Sequence, residues 1–345
     1  RLHAFYDFEN REKLFAGIDS RMKFCLLTLS GTSAQSVASE FVFYATKLQH
    51  LTETERRFTL GPDELLLVNP NSRTCPIFRD QRAAALAFSI YRRGQVLIKE
   101  DEPEPSAWNA SIRRMFDMSY DSHLFQTADE LSKRGLAAAE DGGFADGDTT
   151  WIRLFESKLM HQYDHRFASF DQDGESTFEF SPESKAKANT FAVPRYWVDE
   201  TSYRKKMEST GWSHSWVIVY RDITNTTNER TAIFSAVPKC GVGNTAYTLT
   251  FSDVSSVLLG CFLANANTFV FDWITRQKLA GTHLNVFIAK QLPFLVPNSY
   301  SSSTVFGGTL VDWIRERIQE LTFTAWDLEP FAIDCGYDGP PFVWD

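Results

Sequence analysis

The sequence has no apolar run close to the roughly 20 residues that a membrane helix needs. Its first residues, RLHAFYDFEN, contain no signal-peptide apolar region. Together these two absences predict a soluble, cytoplasmic protein with no membrane partner. Cysteine is sparse: Cys25, Cys75, Cys240, Cys261 and Cys335 are odd in number, widely scattered and never spaced C-x-x-C. That excludes a recognisable zinc motif and a disulfide framework. No glycine-rich loop follows a strand-like run, so nothing here is built to cradle a nucleoside cofactor. Positive charge is also short, with a net charge of −9. A wholly basic nucleic-acid binder is thereby excluded, but a local basic face is not, because phosphate contacts need only about six to ten cations in one place. The acidity itself is concentrated in EDEPEPS at 100–106 and EDGGFADGD at 140–148, which read as solvated loops.

What is abundant is core material. The chain has 345 residues, 43% hydrophobic and 14% aromatic with 29 Phe, enough for two domains with a core each. Lys23–Leu29, KFCLLTL, has the near-continuous apolar character of a strand buried on both faces of an α/β sheet. Residues 40–45, EFVFYA, form a second strand, with the loop GTSAQS between them. The pattern predicts a helix over 80–93 with Arg92 and Arg93 at its C-terminal end, where the helix dipole favours cations. Short amphipathic helices are expected at 107–118 and 128–139, and a solvated loop from 171 to 190. Residues 216–223 and 231–237 alternate as strands around the turn-forming TNTTNER, a hairpin. A further strand is expected at 247–252 and a helix at 309–321, with Leu310, Ile314, Ile318 and Leu321 on one stripe.

The most informative stretch is 263–297, LANANTFVFDWITRQKLAGTHLNVFIAKQLPFLVP. Asn267 or Thr268 can cap a helix that carries Phe269, Val270, Trp273 and Ile274 on one face. Gly281 supplies a left-handed stop, and Thr282 or Asn285 caps a second short helix. Pro293 and Pro297 force an extended exit over 292–296. Arg276, Lys278, Thr282 and His283 then gather around the turn, where free helix N–H groups beside cations suit a phosphate. An ordinary corner with solvated charges uses the same residues.

Three chemical motifs are incomplete. Asn69-Pro70 is followed by Asn71 and Ser72, so it lacks the second proline and the ring with which adenine methyltransferases hold a flipped base, and it reads as a turn. His161 and His165 at helical spacing would be half a metal site, with Asp164 adjacent and no further ligand at motif spacing. Glu156 and Lys158 match the Glu-x-Lys half of a metal-dependent nuclease.

Several segments together are similar to one family. Asn265, Asn267, Gly281, Thr282, Leu284, Asn285, Leu292, Pro293 and Pro297 match an Asn-rich helix start, a Gly-Thr turn, a Leu-Asn pair and a Leu-Pro-x-x-x-Pro exit. Arg221, Asp222, Ile223, Thr227, Asn228, Glu229, Arg230, Thr231 and Pro238 match its hairpin. Phe155, Glu156, Lys158, Gln162, Tyr163 and Asp164 match its opening segment, with Ser157 in place of the usual glycine. PRYWV at 194–198, presenting Arg195 beside two rings, matches another. This pattern resembles the target-recognition domain of large single-chain, type IIG-like adenine-specific DNA methyltransferases of restriction–modification and BREX-like phage-defence systems. The first 30 residues resemble the end of the catalytic domain, most of whose sheet would lie outside this chain.

The resemblance implies an α+β fold: the tail of an α/β methyltransferase sheet, then a mixed-sheet recognition domain with flanking helices. Expected divisions are 1–93 (methyltransferase tail), 94–150 (acidic, helical linker), 151–325 (target recognition) and 326–345 (irregular tail). The implied partners are double-stranded DNA and the rest of the methyltransferase, in the same or another chain. S-adenosylmethionine would serve the parent enzyme rather than this segment, and no metal is expected. Lys158, Arg195, Arg221, Arg230, Arg276, Lys278, Thr282 and His283 are the DNA-contact candidates. Arg221 and Arg230 suit either a charge pairing within the hairpin, to Asp222 or Glu229, or contact with phosphate or a base edge. A protein-interaction scaffold and a metal-dependent nuclease are the alternative functions.

Overall fold

The computed structural model describes residues 2–31, 38–100, 106–171 and 173–344. The expected loop GTSAQS and the acidic run at 100–106 fall largely outside the described residues. The fold is α+β, with helices and several separate sheets. It divides into two compact units, residues 1–103 with 291–293, and residues 104–290 with 294–345.

The first unit is built on a four-stranded sheet. Its strands are β1 (Leu2–Glu9), β2 (Lys23–Leu29), β3 (Ser39–Ala45) and β4 (Phe58–Leu60), in the order β2-β1-β3-β4. β1 runs antiparallel to β2 and parallel to β3. Helices α1 (Pro62–Val68) and α2 (Gln81–Arg93) follow, and Asp80 caps α2 by accepting from the Ala83 N–H at 2.7 Å. Phe41, Phe58, Phe78 and Phe88 form a chain of ring contacts 5.8–6.0 Å apart. Asn69 ends α1 and donates to the Thr74 carbonyl at 2.7 Å, so Asn69-Pro70 begins a turn as expected.

β2 differs from expectation. It was to be buried on both faces, but it is an edge strand exposed on both: Leu26 is 49%, Leu27 54% and Leu29 63% exposed. Its apolar character reflects a surface that nothing in the described chain covers.

In the second unit, one antiparallel sheet contains β5 (Ala110–Arg113), then β6 (Phe125–Gln126) and helix α3 (Ala128–Lys133) lead into a second sheet. The second sheet continues with β7 (Ala137–Ala138), β8 (Phe144–Ala145) and β9 (Thr150–Phe155), while β10 (Ala168–Phe170) belongs to a separate two-stranded hairpin. β11 (Tyr196–Asp199) joins β9 antiparallel, and helix α4 (Glu200–Glu208) follows. The hairpin appears where expected as β12 (Trp216–Arg221) and β13 (Phe234–Pro238), with Ile218 opposite Ala236. β14 (Ala246–Phe251) completes the first sheet, in the order β13-β12-β14-β5.

Region 94–150 is therefore not a helical linker. Residues 110–113 pair with β14, Thr248 opposite Arg113, in place of the helix expected over 107–118. Non-local pairing overrides a short local periodicity that fits either state. Likewise the helix expected over 128–139 stops at Lys133, because Gly135 takes a positive φ of 89°.

Helices α5 (Ser256–Ala266), α6 (Phe269–Lys278) and α8 (Leu310–Thr322) pack on the β12–β14 sheet or on one another, and α7 (Val286–Ala289) is a single turn. Among the described residues no single helix is long and apolar enough to cross a membrane. The core is aromatic: Phe262 stacks on Phe294 at 4.2 Å and meets Trp108 at 5.1 Å. Trp108 Nε1 donates to the Leu295 carbonyl at 2.9 Å.

Inside this core lies an ionic network. Arg153, central in β9, meets Asp327 at 2.8 Å, and His165 Nε2 meets the other oxygen of Asp327 at 2.8 Å. Arg166 is buried and donates to the carbonyls of Lys185, Lys187, Thr190 and Thr324. Burial pushes the Asp327 carboxyl up, but His165 and Arg153 outweigh it and hold the group well below the usual range. Its stabilisation is thus complete above about pH 4 and is lost as pH falls toward the folded-state value. Asp327→Asn leaves Arg153 buried without its counter-ion and is expected to cost about 3–5 kcal/mol at pH 7. The gap to the native protein should narrow as pH is lowered below about 4. Urea unfolding between pH 7 and pH 3 measures both effects, and a constant gap would contradict them.

Candidate nucleic-acid interface

The stretch 263–297 works first as a clamp on the hairpin. Thr268 caps α6, accepting from the Phe271 N–H at 3.1 Å. One residue before, Asn267 brackets Phe234 in β13, accepting from its N–H at 3.1 Å and donating to its carbonyl at 2.9 Å. Asn265 accepts from the Leu295 N–H at 3.0 Å. Asp272, buried on α6, accepts with one oxygen from the N–H groups of Thr231 and Ala232, at 2.7 and 2.8 Å.

Its other oxygen takes Arg276 Nε at 2.8 Å, one turn along the same helix. Arg276 then donates to the carbonyls of Thr226, Asn228 and Glu229 at 2.7–2.9 Å. The connector between β12 and β13 is thereby fixed by its backbone. Asn225 closes it from within, accepting from the N–H groups of Thr227 and Asn228.

Several site expectations change. Arg276 faces the connector rather than the turn at 281, and its donors are occupied by carboxylate and carbonyls. Gly281 is not in the left-handed region; α6 ends because Leu279 leaves it extended, at φ −82° and ψ 109°. α7 is only four residues long, so no multi-turn helix N-terminus stands at Thr282. The turn instead docks on the hairpin: the Thr282 carbonyl accepts from Thr224 at 3.0 Å, the Leu284 N–H donates to Asp222 at 2.8 Å, and His283 Nδ1 lies 3.1 Å from the Asp222 carboxylate. Burial draws the Lys278 ammonium well below the usual lysine range, which suits it poorly to a phosphate.

The cations that stand ready lie at the two ends of the connector. Arg221 ends β12 and Arg230 precedes β13. Neither pairs with Asp222 or Glu229 among the described residues. The Arg221 guanidinium is partly buried, and burial draws its pKa down, yet it makes no hydrogen bond among the described residues. Arg230 lies over the Phe269 ring at 3.8 Å, and its buried Nη1 has no hydrogen-bond partner among the described residues.

Both act on the segment 156–167. Burial lowers the pKa of His161, the charges of Arg221 and Arg230 lower it further, and Asp164 and Glu229 oppose them. Burial pushes the Tyr163 hydroxyl up to about 12, with Arg230 pulling the other way. His161 was weighed as half a metal site, but it is not on a helix with His165. Its ring packs on Phe167 at 5.0 Å, and His165 Nε2 is bound to Asp327. No group of three or more His, Cys, Asp or Glu able to hold a metal occurs among the described residues.

Farther along this segment, Phe170 carries two more of the candidates. Lys158 lies over its ring at 4.1 Å and Arg195 at 4.9 Å. Lys158 is 3.7 Å from Glu156, the partner proposed for a nuclease site, which makes this a loose surface ion pair. Arg195 pins the loop after β10, donating to the Gly174 carbonyl at 2.7 Å and the Glu175 carbonyl at 3.2 Å.

Sequence reasoning missed His161 as part of this electropositive group, and Phe269 as the platform under Arg230. The sequence places Phe269 on the apolar face of its helix, and only the structure shows that ring to be 78% exposed. Comparison with known proteins finds no match: neither a protein family nor a curated protein aligns significantly with the chain.

Arg276→Ala removes the donors that hold three connector carbonyls. It is expected to destabilise by about 1–3 kcal/mol. Hydrogen exchange should quicken at residues 225–232 and stay unchanged in β14. Uniform protection across both segments would show that the clamp is not what orders the connector.

Proposed function

We propose that the second unit is the DNA-recognition module of a site-specific adenine methyltransferase, and the first unit the trailing part of its catalytic domain. The parent would transfer a methyl group from S-adenosylmethionine to the exocyclic amine of adenine within a specific sequence. This segment would select the sequence without performing the chemistry.

One observation carries the proposal. In a chain of net charge −9, cations of the second unit are matched to carboxylates, as Lys185 is to Asp164 at 2.5 Å and Lys206 to Asp121 at 2.9 Å, or to backbone carbonyls, as Arg166 and Arg195 are. Arg221 and Arg230 are not, and they flank one rigid connector. An unpaired, partly desolvated guanidinium costs stability, and phosphate or a guanine edge would complete its fork of donors. The free apolar edge at β2 supports the second half of the proposal, because a strand uncovered on both faces and one edge is what an interior strand of a larger sheet looks like. The rest of the methyltransferase is the partner that would cover it.

Duplex binding by the intact protein across a salt series separates the roles of the two arginines. A residue on phosphate should, as Ala, weaken target and non-target duplexes alike and lower the salt slope by about one. A residue on a base edge should cost about 1–3 kcal/mol on the target only. Arg221→Ala and Arg230→Ala are each expected to follow one of these two patterns. Affinity that ignores salt and both substitutions would favour the protein-interaction alternative.

A further inference from the structure

A closed turn at residues 161–164 holds a histidine against the cationic connector. The His161 N–H donates to the Asp164 carbonyl at 2.8 Å, and the Asp164 N–H returns to the His161 carbonyl at 3.1 Å. This turn is fastened along the entry of β13, the edge strand of its sheet. Gln162 Nε2 donates to the Ala232 carbonyl at 2.7 Å, and the Tyr163 N–H to the Phe234 carbonyl at 3.2 Å. Tyr163 does so at φ 64°, in the left-handed region that a bulky residue rarely enters. The carbonyl between those two, that of Ile233, accepts from the Arg221 N–H at 3.0 Å. Arg230 lies two residues before Ala232. His161, Arg221 and Arg230 are thus anchored around one short piece of backbone.

Three histidines of this unit meet carboxylates: His165 meets Asp327, His214 meets Asp334 and His283 meets Asp222. His161 meets none among the described residues, although Asp164 is only three positions away. The Asp164 carboxylate is taken by Lys185 and by the Arg166 N–H. The His161 ring is seated on Phe167 at 5.0 Å, and neither ring nitrogen has a hydrogen-bond partner among the described residues. Burial, Arg221 and Arg230 disfavour a charge on this ring, while Asp164 and the exposed Glu229 favour it, and the balance holds it below the usual histidine range.

We infer that one phosphate group is received jointly by Arg221 and His161, with Arg230 beside them, and that His161 takes up a proton as the phosphate arrives. A neutral imidazole offers one N–H, whereas an imidazolium offers a donor on each nitrogen and a positive charge. The anion offsets the guanidinium repulsion that keeps the free ring neutral, so protonation becomes favourable in the complex. The complex then binds more protons than the free protein. Affinity therefore rises as pH falls from the bound-state pKa of His161 to its lower free-state pKa, and is level outside that window. The inference rests on Arg221 serving an anion, as in the proposed function, but it requires no reading of sequence. The phosphodiester of a duplex and a free phosphate share this chemistry.

Nuclear magnetic resonance of the full chain tests it by following the His161 ring through a pH titration. The titration is run alone, with a duplex of arbitrary sequence, and with sulfate at matched ionic strength, a tetrahedral dianion that does not itself titrate here. The ring should titrate about one unit higher with either ligand than without. Arg221→Ala should raise the free-protein value and shrink that rise. Duplex affinity should gain about tenfold from about pH 8 to about pH 6. His161→Gln should lack that gain while matching the native affinity at the higher pH.

A raised ring with sulfate, in a protein that does not bind duplex, keeps the phosphate site and removes the DNA reading. Duplex binding with an unmoved ring overturns the inference and leaves the DNA reading standing. A ring unmoved by both ligands, or a pH gain that survives in His161→Gln, also overturns it.

Discussion

The second unit depends on one buried carboxylate. Asp272 holds two successive backbone N–H groups at the start of one hairpin strand and, through Arg276, three carbonyls of the connector before it. A charged group so enclosed is costly unless its lone pairs are satisfied and its charge is matched. Here four-residue spacing on α6 provides the match and the connector consumes the remaining donors. Because Arg221 and Arg230 stand at the two ends of that connector, the clamp also sets how far apart their guanidinium groups can be. Paired charges inside thus hold unpaired charges outside.

A similar division appears deeper in the same unit. Arg153, Asp327 and His165 form a paired and buried network, and Arg166 is consumed by backbone carbonyls. None of these groups is available to a ligand. Other cations lie on rings: Arg230 on Phe269 has no carboxylate partner among the described residues, whereas Lys158 on Phe170 also pairs with Glu156, Arg317 on Trp313 with Glu316, and Arg195 on Phe170 donates to two carbonyls. A cation stacked on a ring keeps its charge and those donors that no acceptor has taken.

The parts of the fold legible in the sequence are those fixed locally. The helix over 80–93, a cap at Asn267 or Thr268, the stripe of α8 and the β12–β13 hairpin follow from spacing and capping chemistry, and the structure has them within a few residues. Residues 110–113 were illegible because their partner strand lies more than 130 positions away, Arg113 opposite Thr248. Arg276 was assigned to a phosphate because backbone carbonyl acceptors leave no trace in a sequence. β2 was assigned to a core because a run apolar on both faces looks the same whether it is covered or waiting to be covered. From the sequence, Arg221 and Arg230 suit internal pairing or external contact alike, and only geometry shows that neither pairs with Asp222 or Glu229 among the described residues.

The connector has a consequence for how such a protein can change. Arg276 grips Thr226, Asn228 and Glu229 by their carbonyl oxygens, which every residue type possesses. Thr226, Thr227 and Glu229 are themselves exposed. New side chains can therefore appear at these positions while the backbone path stays the same. A lineage could explore different surfaces between Arg221 and Arg230 at little cost in stability, trying new preferences on a frame that does not move.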